Sequence, residues 1–160
     1  LIAWQRENGW LFIWQPIGLG IFYIASLAEI NRTPFDMVEA DSELVAGPFT
    51  EYSGMRFGFF FFAEYVALFI MSGILITLFF GGFLAPWPFP AQLEGFGGTL
   101  YGTFWFFLKT YIFVAIAVWM RGTLPRVRVD QLMNMAWKVL LPLALVNLFV
   151  TAIAVVVFDL

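Results

Sequence analysis

An all-α protein that crosses a membrane several times is the fold class this sequence predicts, and three observations predict it. Of 160 residues, 62% are hydrophobic and only 12% charged, against roughly 25% charged in soluble domains. Four stretches approach the roughly 20 apolar residues that a spanning helix needs. Between the first two lies a long polar segment, Glu29 to Arg56, which holds Glu29, Asp36, Glu39, Asp41, Glu43 and Glu51 against only Arg32 and Arg56. The expected architecture is a single membrane domain over residues 1–160, with four transmembrane helices and a long acidic loop that carries a short helix.

The elements follow in chain order. LIAWQRENG, before Trp10, has neither the basic start nor the initiator Met of a signal peptide, so the numbering is expected to begin inside a longer protein. The first span is expected at about 10–28, kinked and closely packed because it contains Gln15, Pro16, Gly18 and Gly20. The second, about 57–80, is interrupted by Glu64 and a few small polar residues. The third, about 103–120, encloses Lys109, and the fourth, about 139–158, contains Pro142 and Asn147. Residues 81–102 are dense in Gly, Pro and aromatics and predict an irregular loop at the membrane surface. Loops 29–56 and 121–138 supply Arg32, Arg56, Arg121, Arg126, Arg128 and Lys138, whereas the other side has Arg6. The positive-inside rule therefore puts the acidic loop in the cytoplasm beneath a cell inner (plasma) membrane, or in the matrix of an organelle.

A simple connector is far shorter than this loop. Thr33 can cap a helix that Pro34 begins, with Asp36 placed to reach back to the cap, and Gly47-Pro48 supplies a stop. Asp36, Glu39 and Glu43 then share one face, with Phe35, Val38 and Val45 on the adjoining one. Like charges so spaced repel, and a proton arriving among them relieves the repulsion. The plainer reading is a solvated amphipathic helix.

Two ionisable groups fall inside spans. Glu64 sits about 12 Å along its helix at about 1.5 Å per residue, where an ionised carboxylate costs at least about 2.5–3.5 kcal/mol. It is expected to face a protein interior or a water path, either as a proton carrier or as one side of a helix–helix hydrogen bond. Glu29 closes the preceding span near the same surface, so the two carboxylates are expected within one or two water-mediated steps. Lys109 is expected to pair with a carboxylate, to tune one, or to snorkel. Arg126 and Arg128 read as topological determinants or subunit contacts. The chain has no Cys and no His, which excludes a protein-ligated iron–sulfur cluster, a cysteine nucleophile and a histidine-ligated haem or zinc; no metal site is expected. A net charge of −3 without a basic run gives no reason to expect nucleic acid.

The words AEINRTPFDMVEADSELVAG, TEYSGMRF and AEY, followed by RGTLPRVRVDQLMNMAWKVLLPLAL, closely resemble the H-type membrane subunit of proton-pumping NADH:quinone oxidoreductase, respiratory complex I, and its relative NADH dehydrogenase subunit 1. The likeness covers nearly the whole chain and corresponds to the C-terminal half of that family. It implies a membrane subunit that anchors the redox arm and forms part of the chamber through which quinone enters. The positions of Arg32, Phe35, Asp36, Glu39, Asp41 and Glu43 fall in or beside that chamber, and Glu29 and Glu64 match carboxylates of the proton path. Glu51, Arg56, Lys109, Arg126, Arg128 and Asp130 are further candidates. Asp41 stands where many members have Glu, and Met37-Val38 replaces the more usual Leu-Pro. The resemblance further implies quinone as substrate, no cofactor bound by this chain alone, and FMN and iron–sulfur clusters in partner subunits of the complex. Alternatives are the membrane anchor of a proton-pumping hydrogenase, that of a dehydrogenase fed by another donor such as ferredoxin, and an independent ion transporter.

Overall fold

The computed structural model describes residues 1–36, 52–86 and 96–158, and every element in them is helical. In order these are α1 (Ile2–Asn8), α2 (Leu11–Trp14), α3 (Pro16–Glu29), α4 (Met55–Phe79), α5 (Phe96–Thr123), α6 (Val129–Met135) and α7 (Leu141–Phe158). A π-helical turn, Ala136–Leu140, joins α6 to α7. Three helical stretches are long and apolar enough to cross a membrane, Met55–Phe79, Phe96–Thr123 and Val129–Val157. The all-α polytopic membrane fold expected from composition is the observed one.

The first expected span differs from a single helix. It is broken at Gln15, whose φ of −132° and ψ of 61° separate α2 from α3. Pro16 is the reason, because its ring disfavours a helical conformation in the residue before it and it has no N–H to continue the ladder. The 14 residues of α3 reach only about 21 Å at about 1.5 Å per residue, short of a hydrocarbon core of roughly 30 Å.

Helix also extends beyond two other expected spans. Phe96 to Gly102, read as loop from its glycines, is already α5. Gly102 lies against Phe83, where a Cβ would come into van der Waals contact with Phe83 Cβ at 3.4 Å. At the other end, helix resumes at Val129, well inside the expected 121–138 loop. Gln131 Oε1 accepts from the Arg128 backbone N–H at 3.3 Å, one half of a capping box. The π turn precedes Pro142, which cannot donate to the carbonyl one turn back; Leu141 N–H instead bonds Ala136 O.

Two apolar clusters position everything else. Leu27, Phe35, Leu68 and Ala117 form one, sealed by Val127 and Leu132 from the α5–α6 region. Leu75, Ile76 and Phe79 form the other, packed by Phe12, Phe22 and Phe113, with Phe12 stacked on Phe80 at 5.1 Å. Helix α4 packs on α3 and α5, and α3 touches α7 where Gly18 leaves room for the Asn147 amide, 3.4 Å from a hypothetical Cβ.

Candidate functional site

The site is built where α3 ends. Asn31 takes φ 52°, a left-handed conformation that asparagine tolerates better than most residues. This reversal lets Arg32 N–H return to Leu27 O at 3.1 Å and turns the Arg32 side chain inward. A tight turn follows, with the Thr33–Pro34 bond cis and Phe35 N–H on Arg32 O at 2.9 Å. Thr33 to Phe35 are therefore turn and bend, so the helix expected to start at Pro34 does not start there. Val127 N–H donates to Pro34 O at 2.9 Å, which ties this segment to the α5–α6 connection. Phe35 then wedges between Leu27, Leu68 and Ala117.

Arg32 is 2% exposed and ion-paired with Glu64, whose side chain is 15% exposed. Its guanidinium also lies 4.6 Å from the centroid of the Tyr65 ring. An opposite charge and a ring face thus converge on one cation. A buried pair of this kind survives only if desolvation is offset by such contacts, and removing one partner is strongly unfavourable. Arg32 Nε and Nη2 are buried without an acceptor among the described residues.

The other expected residues are distributed as follows. Asp36 pairs with Arg126 at 3.8 Å, the carboxylate mostly covered and the guanidinium a third exposed. Glu29 is exposed at the last residue of α3, outside the Arg32–Glu64–Tyr65 cluster. Arg56 is exposed in the first turn of α4. Arg128 is the exposed N-cap of α6, and Asp130 in its first turn suits the helix dipole. Glu39, Asp41, Glu43 and Glu51 lie outside the described residues, as does most of the expected loop helix. Among the described residues no group of three or more His, Cys, Asp or Glu could hold a metal.

Lys109, expected to pair with a carboxylate, to tune one or to snorkel, is bonded to backbone carbonyls among the described residues. It is 8% exposed, and Nζ donates to three backbone carbonyls, Phe80 O at 2.8 Å, Gly82 O at 3.2 Å and Leu84 O at 2.5 Å. Sequence reasoning also passed over Tyr65, although the AEY word placed it beside Glu64, and over Gln5, a polar residue buried to 2% in the first helix.

The Asp36–Arg126 pair yields a modest prediction. Asp36→Asn should lower the thermal stability of the full-length subunit by the equivalent of no more than about 1 kcal/mol, with the difference shrinking in high salt. A heat-solubility midpoint measured in low and high salt checks it; a larger, salt-insensitive loss would assign Asp36 to a buried network.

A family model described as NADH dehydrogenase matches residues 1–152. The NADH-quinone oxidoreductase H subunit of Anoxybacillus flavithermus is 52% identical over 153 residues, covering 96% of this chain and 43% of the relative. The first of the H subunits of NADH-quinone oxidoreductase in Rhodopseudomonas palustris (strain BisA53) is 47% identical over 155 residues, 97% of this chain and 45% of the relative. The protein of the same name in Cytophaga hutchinsonii is 40% identical over 158 residues, 99% and 46%. The chain spans less than half the length of these relatives.

Proposed function

The chain belongs to the NADH dehydrogenase family, and we propose that it is the C-terminal part of a membrane subunit of a proton-translocating NADH:quinone oxidoreductase. In this reading it forms part of the quinone-access chamber and couples quinone reduction to proton transfer through Glu64 and Glu29. FMN and iron–sulfur clusters in partner subunits would carry electrons from NADH to the quinone; this chain supplies shape and electric field. The acidic loop faces the cytoplasm. Arg32, Phe35 and Asp36 belong to the chamber, and Glu39, Asp41 and Glu43 extend it. Glu51, Arg56, Arg126, Arg128 and Asp130 line the same aqueous side.

The observation that carries the reading is the buried Arg32–Glu64 pair with guanidinium donors left over. A quinone oxygen gains negative charge on reduction, and a poorly solvated cation beside it responds strongly because screening is weak there. When Arg32 turns toward the reduced headgroup, its hold on Glu64 weakens and the carboxylate takes up a proton. When the quinol leaves, the pair re-forms and the proton moves on. The chain thus links charge at the headgroup to proton occupancy inside the membrane.

The test keeps the charge and changes the fork. Lysine cannot engage a carboxylate and a second acceptor with fixed planar geometry. Arg32→Lys in the full complex is expected to raise the apparent KM for a short-chain quinone analogue by about tenfold, one lost interaction of about 1.4 kcal/mol. Quinone kinetics identical to those of the parent would remove Arg32 from the chamber.

A further inference from the structure

The end of α4 is a backbone turn folded against a second membrane helix. Lys109, at the middle of α5, reaches it. Gly81 and Gly82 take φ of 69° and 56°, conformations that favour glycine, and the turn brings the alternate carbonyls of Phe80, Gly82 and Leu84 inward while Gly81 O accepts from Leu84 N–H at 3.0 Å. A Cβ on Gly81 would meet Leu84 Cδ1 at 3.1 Å and Gln5 Oε1 at 3.3 Å, so the turn is closed around its contents.

Those contents are one ammonium group. Nζ of Lys109 faces the oxygens of Phe80, Gly82 and Leu84, and the ring of Trp10 covers it with its centroid 4.7 Å away. Gln5 Nε2 satisfies the neighbouring Leu78 O. Carbonyls at a helix end carry partial negative charge, and in apolar surroundings each unsatisfied one is costly. Three converging carbonyls and an aromatic face make a site for an alkylammonium ion. Its occupant here is supplied by the chain.

We propose that residues Phe80 to Leu84, with Trp10, form an ammonium-binding cage whose resident cation is the Lys109 side chain, and that this tether fixes α4 against α5. Lys109 is then a positioning residue. Glu64 lies on α4, about 24 Å before the cage at about 1.5 Å per residue, so sliding of α4 would displace it from Arg32. Only this last link rests on the function proposed above; the cage itself does not.

The test uses the full-length subunit in its native membrane. Lys109→Met fills the space without the charge and is expected to lower the heat-solubility midpoint by about 5 °C or more. Lys109→Arg, which keeps a cation, is expected to fall less. Lys109→Ala removes the equivalent of n-propylammonium, and added n-propylammonium is expected to restore most of its midpoint. Tetramethylammonium, which has no N–H, and n-propanol, which has no charge, are expected to do nothing. Quinone-linked turnover per assembled complex should follow the same amine dependence. A Met variant as stable as the parent, or an Ala variant indifferent to the amine, would overturn the cage. If the Ala variant does not accumulate, Met and Arg variants of equal stability would overturn it, and Arg clearly above Met would support it. Restored stability without restored turnover would overturn the link to Glu64 and leave the cage standing.

Discussion

Replacing Glu64 by glutamine is expected to reduce quinone-linked turnover and proton pumping by roughly a hundredfold or more, the scale of a lost proton-transfer group. Glutamine matches glutamate in shape, and its amide oxygen can still accept from the buried Arg32 guanidinium. The helix and its neighbours should therefore assemble normally. What glutamine cannot do is carry a proton, so the loss would report chemistry rather than folding. Subunit content measured on the same membranes separates the two. Parental rates in fully assembled Glu64→Gln membranes would end the assignment.

The second large effect concerns stability. Arg32→Met strands the Glu64 carboxylate, 15% exposed, without the cation it is paired with, and breaking a buried pair from one side costs about 3–5 kcal/mol. The double variant Arg32→Met with Glu64→Leu removes both charges and is expected to recover most of that loss. Heat-solubility midpoints of the full-length subunit for the parent, both single variants and the double variant complete the cycle. A double variant no more stable than Arg32→Met would mean that the guanidinium stabilises through its contact with the Tyr65 ring rather than through its partner.

Much of the fold was legible because it depends on local chemistry. The long apolar runs and the Gln15–Pro16 break could be read from residue type alone. The start of α5 at Phe96 could not, because Gly97, Gly98 and Gly102 lower helix propensity and the compensating contact with Phe83 comes from elsewhere in the chain. Glu64 announced itself as a charge in an apolar helix. Its partner did not, because Arg32 reaches it only through the left-handed Asn31 and the turn at Pro34. The partners of Lys109 were hidden for another reason: they are backbone carbonyls, and no side-chain pairing rule points to them. The Phe59–Phe62 run is exposed throughout, as suits a lipid-facing surface.

Both large effects converge on one carboxylate, whose charge is held by a cation proposed to lie within reach of the quinone. Arg32 supplies that cation in both the stability and the kinetic predictions. The two sets of experiments are independent, since one reads the resting pair and the other reads turnover.

The most direct measurement is an infrared difference spectrum of the full complex between oxidised and reduced quinone, recorded for the parent and for Glu64→Gln. A carboxyl stretching change is expected in the parent and is expected to be missing from the variant, because in the proposed coupling Glu64 takes up a proton when quinone is reduced. Superimposable spectra in the carboxyl region, with quinone fully reduced in both, would contradict that role for Glu64.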